Sequence, residues 1–172
     1  MTRDTVMADS LRSLLLGTAA LQVTLLVALF LTWTRPGMGD GPSRDRLLRG
    51  FSWALAWQCL HVLEEFLTGF YVRFPALLGL VPWSEEFFLT FNLVWLAIWI
   101  VSATALRDGR RWALWPIWFF AMGMLINGVA HPLLAFVAGG YFPGLWTAPL
   151  AGFLGGVVFA QLLALTRSPG LS

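Results

Sequence analysis

Five continuous apolar stretches constrain this chain more than any other feature. Each is near the ~20 residues that carry a helix across a hydrocarbon core. They are placed at Leu14–Thr34, Leu48–Phe70, Glu85–Leu106, Ala113–Val137 and Leu145–Leu165. The runs are unbroken rather than alternating, which argues against a β-barrel. Breaks are read at Arg35-Pro36-Gly37, Pro75, Pro82, Asp108-Gly109 and Gly139-Gly140, with Ser10 or Ser13 capping the first span. Composition agrees: 58% of the residues are apolar and 12% charged, against the ~25% charge of a soluble domain. So few polar residues cannot cover a globule, and lipid is the solvent for most of the chain. With no internal repeat and no soluble segment, the predicted fold is all-α: a single polytopic membrane helix bundle over residues 1–172 with five transmembrane helices. The first span reads as an uncleaved anchor, because it exceeds the ~7–15-residue core of a signal peptide and no small-x-small site follows.

Charge sets an expected orientation. All eleven basic residues are Arg, and the net charge is only +2, so nucleic acid is not an expected partner. A single Cys59 excludes a disulfide framework. With five spans, Arg35, Arg44, Arg46, Arg49, Arg107, Arg110, Arg111 and Arg167 share one side, against Arg3, Arg12 and Arg73 on the other. The excess predicts a cytoplasmic C-terminus and an external N-terminus. Trp33, Trp53, Trp83, Trp112, Trp115 and Trp146 fall near span ends, where interfacial anchors belong.

The informative residues are polar groups that lipid should exclude. In the second span Gln58, His61, Glu64, Glu65 and Thr68 fall within a helical arc of about 120°. Each carboxylate at the bilayer centre costs at least ~2.5 kcal/mol, so two side by side call for partners, a wet cavity or, for Glu65, the outer interface. In the fourth span Asn127 and His131 share a face, and Pro132 frees the carbonyl of Gly128 beside the histidine. The third span opens with Ser84-Glu85-Glu86, where Ser84 reads as an N-cap and the acids suit the helix dipole. Glu85 shares a face with Asn92, which is expected to bond across helices. Thr147 is expected in the first turn of the fifth helix. By this topology three helices send their buried polar groups to one depth, in the outer half of the bundle, which marks an intramembrane site.

The fifth span carries Ala148, Gly152, Gly156 and Ala160 at four-residue spacing. This small-residue stripe predicts close helix packing within the bundle, and it also leaves open a homodimer through the Gly152/Gly156 face.

His61-Val62-Leu63-Glu64-Glu65 resembles the signature of the HXXEE family of small membrane proteins. Asn127-Gly128-Val129-Ala130-His131 is similar to an Asn-x-x-x-His element of that family, and Pro143-Gly144-Leu145-Trp146-Thr147 to its Pro-Gly-x-x-Thr segment. The three matches occur in order between residues 50 and 165. The resemblance implies site residues but no reaction.

The residue types permit three readings. In the first, His61, Glu64 and His131 ligate a divalent metal (Zn, Mn or Fe), Glu65 is the general base and Asn127 orients a membrane lipid or other apolar substrate. In the second, a metal-free acid/base pair isomerises or cyclises an isoprenoid or sterol-like molecule, with aromatic faces stabilising a developing cation. In the third, the chain is a small carrier or proton-coupled binding protein with Glu64, Glu65 and His61 as a relay. Against the third, the other half of the bundle offers only Gln22, Ser102 and Gln161 as polar stepping stones. Glu85, Asn92, Gln58 and Thr147 are secondary candidates.

Overall fold

The computed structural model describes residues 3–167, with side chains from residue 7 onward, and every regular element among them is helical. The elements are α1 (Arg3–Gly17), α2 (Ala19–Thr34), α3 (Gly41–Leu67), α4 (Phe70–Leu77), α5 (Glu85–Arg107), α6 (Leu114–Val137) and α7 (Ala148–Leu165), with a 3₁₀ turn at Arg111–Ala113 leading into α6. α6 lies at the centre and packs on α7, α2 and α5, while α3 packs on α7 and α5. Three stretches are long and apolar enough to cross a membrane: α5, Arg111–Val137 and α7. The pair α1–α2 makes a fourth if the two count as one span.

The first span is not one straight helix. It breaks at Thr18, and the two halves are bent by 51°. Ser10 and Ser13 lie inside α1 rather than at its start. Ser13 Oγ instead donates to the Val81 carbonyl at 2.5 Å, tying α1 to the segment before α5. The second span also differs from expectation. α3 begins at Gly41, where Asp40 accepts from the Ser43 N–H, and it ends at Leu67. Gly69, at φ +76°, turns the chain into the short α4.

Pro75 does not break the chain; α4 runs through it. Proline lacks the N–H that would bond to the carbonyl four residues back. That carbonyl, of Tyr71, accepts from the Trp83 N–H at 2.9 Å, so the missing helix bond becomes the tie that seats Trp83. α5 starts where expected, with Ser84 Oγ accepting from Phe87 N at 3.1 Å. α7 starts at Ala148, three residues later than predicted, so Thr147 sits at the cap position instead of in the first turn.

The small-residue stripe works inside the bundle, in a shifted register. A Cβ on Gly152 would lie 2.8 Å from the Gly128 Cα, and a Cβ on Gly155 would lie 2.7 Å from the Met124 Cβ. Gly156 has ordinary space, its nearest neighbour being Leu125 Cδ2 at 3.6 Å. Backbone cannot yield as a side chain can. Gly152→Ala is therefore expected to destabilise the detergent-solubilised protein by about 1–3 kcal/mol. Gly156→Ala should be neutral or stabilising, because Ala is the better helix former. Equal thermal melting of the two variants would contradict this packing.

Candidate functional site

α3 turns Gln58, His61 and Glu65 inward, and all three are buried. α6 brings His131 to meet them, 2% exposed against 0% for His61 and 7% for Glu65. The imidazoles pack edge to face, with centroids 4.8 Å apart and an interplanar angle of 88°. Glu65 Oε1 lies 3.3 Å from His131 Nε2 and 3.7 Å from His61 Nε2. One ligand atom from each of the three residues falls within 4.8 Å of the other two.

The outer nitrogens decide what the inner ones can do. His131 Nδ1 lies 2.6 Å from the Pro143 carbonyl, which can only accept, so Nδ1 carries the proton. In the neutral ring, Nε2 then holds the free lone pair. His61 Nδ1 lies 2.7 Å from Thr147 Oγ1. The Thr147 hydroxyl donates to Glu64 Oε2 at 2.6 Å, which leaves its oxygen to accept from His61. His61 Nε2 is buried without a hydrogen-bond partner. Both histidines thus present Nε2 lone pairs toward one carboxylate, an arrangement that calls for a cation between them, either a proton or a metal ion. Glycine is required at position 144. Its φ is +85°, and a Cβ there would lie 2.5 Å from the His131 Cε1 and 3.0 Å from the His61 Cε1.

Glu64 corrects an expectation. It does not join the histidines; Glu65 does. The Glu64 carboxylate accepts four hydrogen bonds: from Tyr141 Oη at 2.7 Å, Trp146 N at 3.1 Å, Thr147 N at 2.9 Å and Thr147 Oγ1. Burial is the largest influence raising the Tyr141 phenol above its ordinary value, and donation to Glu64 adds to it against a lowering contact with Thr68. Tyr141 therefore stays a donor. Trp57 Nε1 adds a bond to the Thr147 carbonyl at 2.9 Å, and Arg73 donates to the Tyr141 carbonyl at 3.0 Å. The loop between α6 and α7 is thus tied to α3 and α4.

Beside the cluster lies a cavity of about 430 Å³. Glu65 and His131 stand on its wall with Gln58, Asn92 and Asn127, and the rest is mostly aromatic and aliphatic. Asn92 does not bond across helices as expected: its Nδ2 donates to the Phe88 carbonyl of its own helix at 2.9 Å. Glu85 is outside the cavity and accepts from Tyr71 Oη at 2.7 Å. Trp83, read as an interfacial anchor, lines the cavity instead. Sequence reasoning missed Tyr141, the Pro143 carbonyl and the aromatic wall. The Pro-Gly turn was the available signal for the first two.

No family model, curated protein or solved structure matches the chain. The resemblance to HXXEE proteins therefore rests on its three motifs. Their residues do converge: His61, Glu64, Glu65, His131, Pro143, Gly144 and Thr147 form one contiguous group, with Asn127 on the adjoining cavity wall.

Thr147→Val keeps the side-chain shape and strands the buried His61 Nδ1. It is expected to destabilise the protein by about 1–3 kcal/mol, the usual penalty for an unpaired buried donor. Thr147→Ser should retain the parent melting behaviour. If the two variants melt alike, the hydroxyl does not hold His61.

Proposed function

We propose that this chain is a five-span integral membrane enzyme, with an external N-terminus and a cytoplasmic C-terminus, in which His61, Glu65 and His131 hold a divalent metal ion (Zn, Mn or Fe) beside a cavity for a lipidic substrate. The observation that carries this reading is the pair of Nε2 lone pairs turned toward one buried carboxylate.

The donor set suits such an ion. Two histidines and one carboxylate with an open position are the ligands of catalytic zinc sites and of non-haem iron sites. Metal–ligand bonds of about 2.0–2.1 Å in tetrahedral geometry place ligand atoms roughly 3.3 Å apart. The Glu65–His131 and Glu65–His61 separations, 3.3 and 3.7 Å, are already near that spacing. When bound, the ion would supply Lewis acidity toward a substrate oxygen or a water acidified to near neutral pH. The chain's own groups then divide the work. His61 and His131 bind through Nε2 while Thr147 and Pro143 hold their rings in register. Glu64 fixes Thr147, so it is a positioning residue for His61. Asn127 and Gln58 can hydrogen-bond an oxygen of the substrate from the cavity wall.

α3 serves as the fifth span in this reading. Its 27 residues extend about 40 Å at 1.5 Å per residue. In its second half Gln58, His61 and Glu65 face inward, whereas Leu60, Leu63 and Leu67 are exposed; its exposed charges, Asp45, Arg46 and Arg49, lie near its start. That is the polarity of a helix in lipid. A reporter fused at the C-terminus is expected in the cytoplasm and one inserted at Gly139 outside; both on one side would exclude five spans.

A metal-free reading has its own support. Phe70 lies 5.5 Å from the His131 ring, within an aromatic wall suited to a developing cation, and Glu65 would be the proton donor. Metal binding separates the two. Purified parent protein is expected to bind about one equivalent of Zn²⁺ or Mn²⁺ and to melt higher with it. His61→Ala and Glu65→Gln should abolish both effects. A parent that ignores metal before and after chelation would favour the metal-free isomerase.

A further inference from the structure

The cavity beside the cluster is selective in its charge. The chain has no lysine, and none of the arginines whose side chains are described stands on the cavity wall. The charged or titratable groups there are Glu65 and His131. A lipid bearing a phosphate or sulfate would find no cationic side chain to neutralise it and would bring its charge against a buried carboxylate. An uncharged lipid meets no such obstacle.

Three unpartnered polar atoms on lining residues point to the group that is recognised: the acceptor Gln58 Oε1 and the donors Trp83 Nε1 and Trp99 Nε1. Gln58 is 8% exposed, one helical turn before His61, and its Oε1 is buried without a hydrogen-bond partner. An unpaired buried carbonyl is costly, and a ligand that donates a hydrogen bond relieves it. A hydroxyl can donate to the Gln58 oxygen and also accept from an indole N–H, whereas a ketone, an ether or an ester can only accept. Apart from Asn92 and Asn127, most of the remaining wall is hydrocarbon and ring surface, including Phe87, Phe91, Phe119 and Phe120. Its volume, about 430 Å³, falls in the range of small-molecule sites, roughly 300–1,000 Å³.

The cavity also opens to the surface of the molecule. Gly17, Thr18, Ala20 and Leu21, at the α1–α2 bend, form part of its lining. Ala20, Ile126 and Leu133 line it and are exposed as well, so the opening lies on the outward surface of these helices. On α6, Gly123 leaves the wall open: a Cβ there would meet nothing within 4 Å. Gly123 is eight residues before His131, about 12 Å along the helix, so hydrocarbon has room well away from the cluster.

We infer that the cavity binds an uncharged lipid alcohol that enters from the bilayer at the α1–α2 bend, with its hydroxyl donating to Gln58 beside the His61–Glu65–His131 cluster and its hydrocarbon lying along the aromatic wall past Gly123. The inference rests on the proposed reading of the cavity as the substrate site, and it names the class of substrate.

The test uses full-length protein in nanodiscs with EDTA present, so that occupancy of the cavity is read without the metal. The probes are geranylgeraniol and geranylgeranyl phosphate, followed by thermal melting and by the fluorescence of the cavity tryptophans Trp83, Trp95 and Trp99. The alcohol is expected to raise the melting temperature by about 5 °C at a hundredfold excess over its Kd. The phosphate should bind at least tenfold more weakly. Gly123→Phe should fill the cavity and abolish binding of the alcohol, while Gly123→Ala retains it. Gln58→Leu should weaken the alcohol about three- to tenfold, the effect of one hydrogen bond, and it serves as a second variant if Gly123→Phe does not fold. Binding of the phosphate as tight as that of the alcohol, no binding of the alcohol to the parent, or undiminished binding to both Gly123→Phe and Gln58→Leu would overturn the inference. A separate Zn²⁺ titration without lipid reports on the metal: failure there with the alcohol still bound removes the metal and leaves the lipid alcohol standing.

Discussion

The carboxylate of Glu64 organises this end of the molecule. It accepts from two successive backbone N–H groups, Trp146 and Thr147, at the point where the α6–α7 loop enters α7. An ionised carboxylate only accepts, and here four donors meet its two oxygens. This joins the C-terminal end of α3 to the start of α7 and fixes the path of the loop between them. Pro143 and Gly144 are then held over the histidines, where a carbonyl is needed and a side chain would not fit. The same carboxylate settles which His61 nitrogen is protonated, through Thr147. Without this clamp, neither ring would have a reason to present Nε2 inward.

The buried polar residues are tolerated because the bundle is arranged around them. The second half of α3 turns Gln58, His61 and Glu65 inward and Leu60, Leu63 and Leu67 outward. α6 packs its glycine and alanine positions tightly on α7, bringing the two backbones together at Gly128 and Gly152. Close packing on that side of α6 contrasts with open space at Gly123, which lines the cavity. The cavity is therefore a property of how α6 shares its faces: small residues draw α7 in, while rings hold α5 and α4 away.

Much of the helical layout was legible in the sequence, because lipid imposes a length and a polarity that composition records directly. α5 and α6 begin and end close to the positions read from hydropathy. The departures come from contacts remote in sequence. Pro75 looked like a terminator, yet Trp83 takes the carbonyl it frees and the helix continues. The break at Thr18 had no proline or glycine pair to announce it beyond Gly17 itself, and it is sustained by the packing of Trp83 against that glycine. The cavity was invisible for the same reason: its aromatic wall is assembled from residues that singly read as lipid-facing or interfacial. The approach of His61 and His131 around a glutamate of the second span, by contrast, was expected from spacing and from the direction assigned to each helix.

Spacing could not divide the labour between the two adjacent glutamates. On an α-helix, residue i+3 lies about 60° to one side of residue i, and residue i+4 about 40° to the other. Both carboxylates could reach toward His61, so the sequence of α3 alone is nearly symmetric between them. The neighbours break the symmetry. On the Glu65 side stands α6, whose His131 offers a nitrogen with no hydrogen to donate in the neutral ring. On the Glu64 side stands the start of α7, whose backbone offers donors. A carboxylate that meets donors is satisfied and becomes structure. Glu65 meets lone pairs instead, and this difference sets the two glutamates apart.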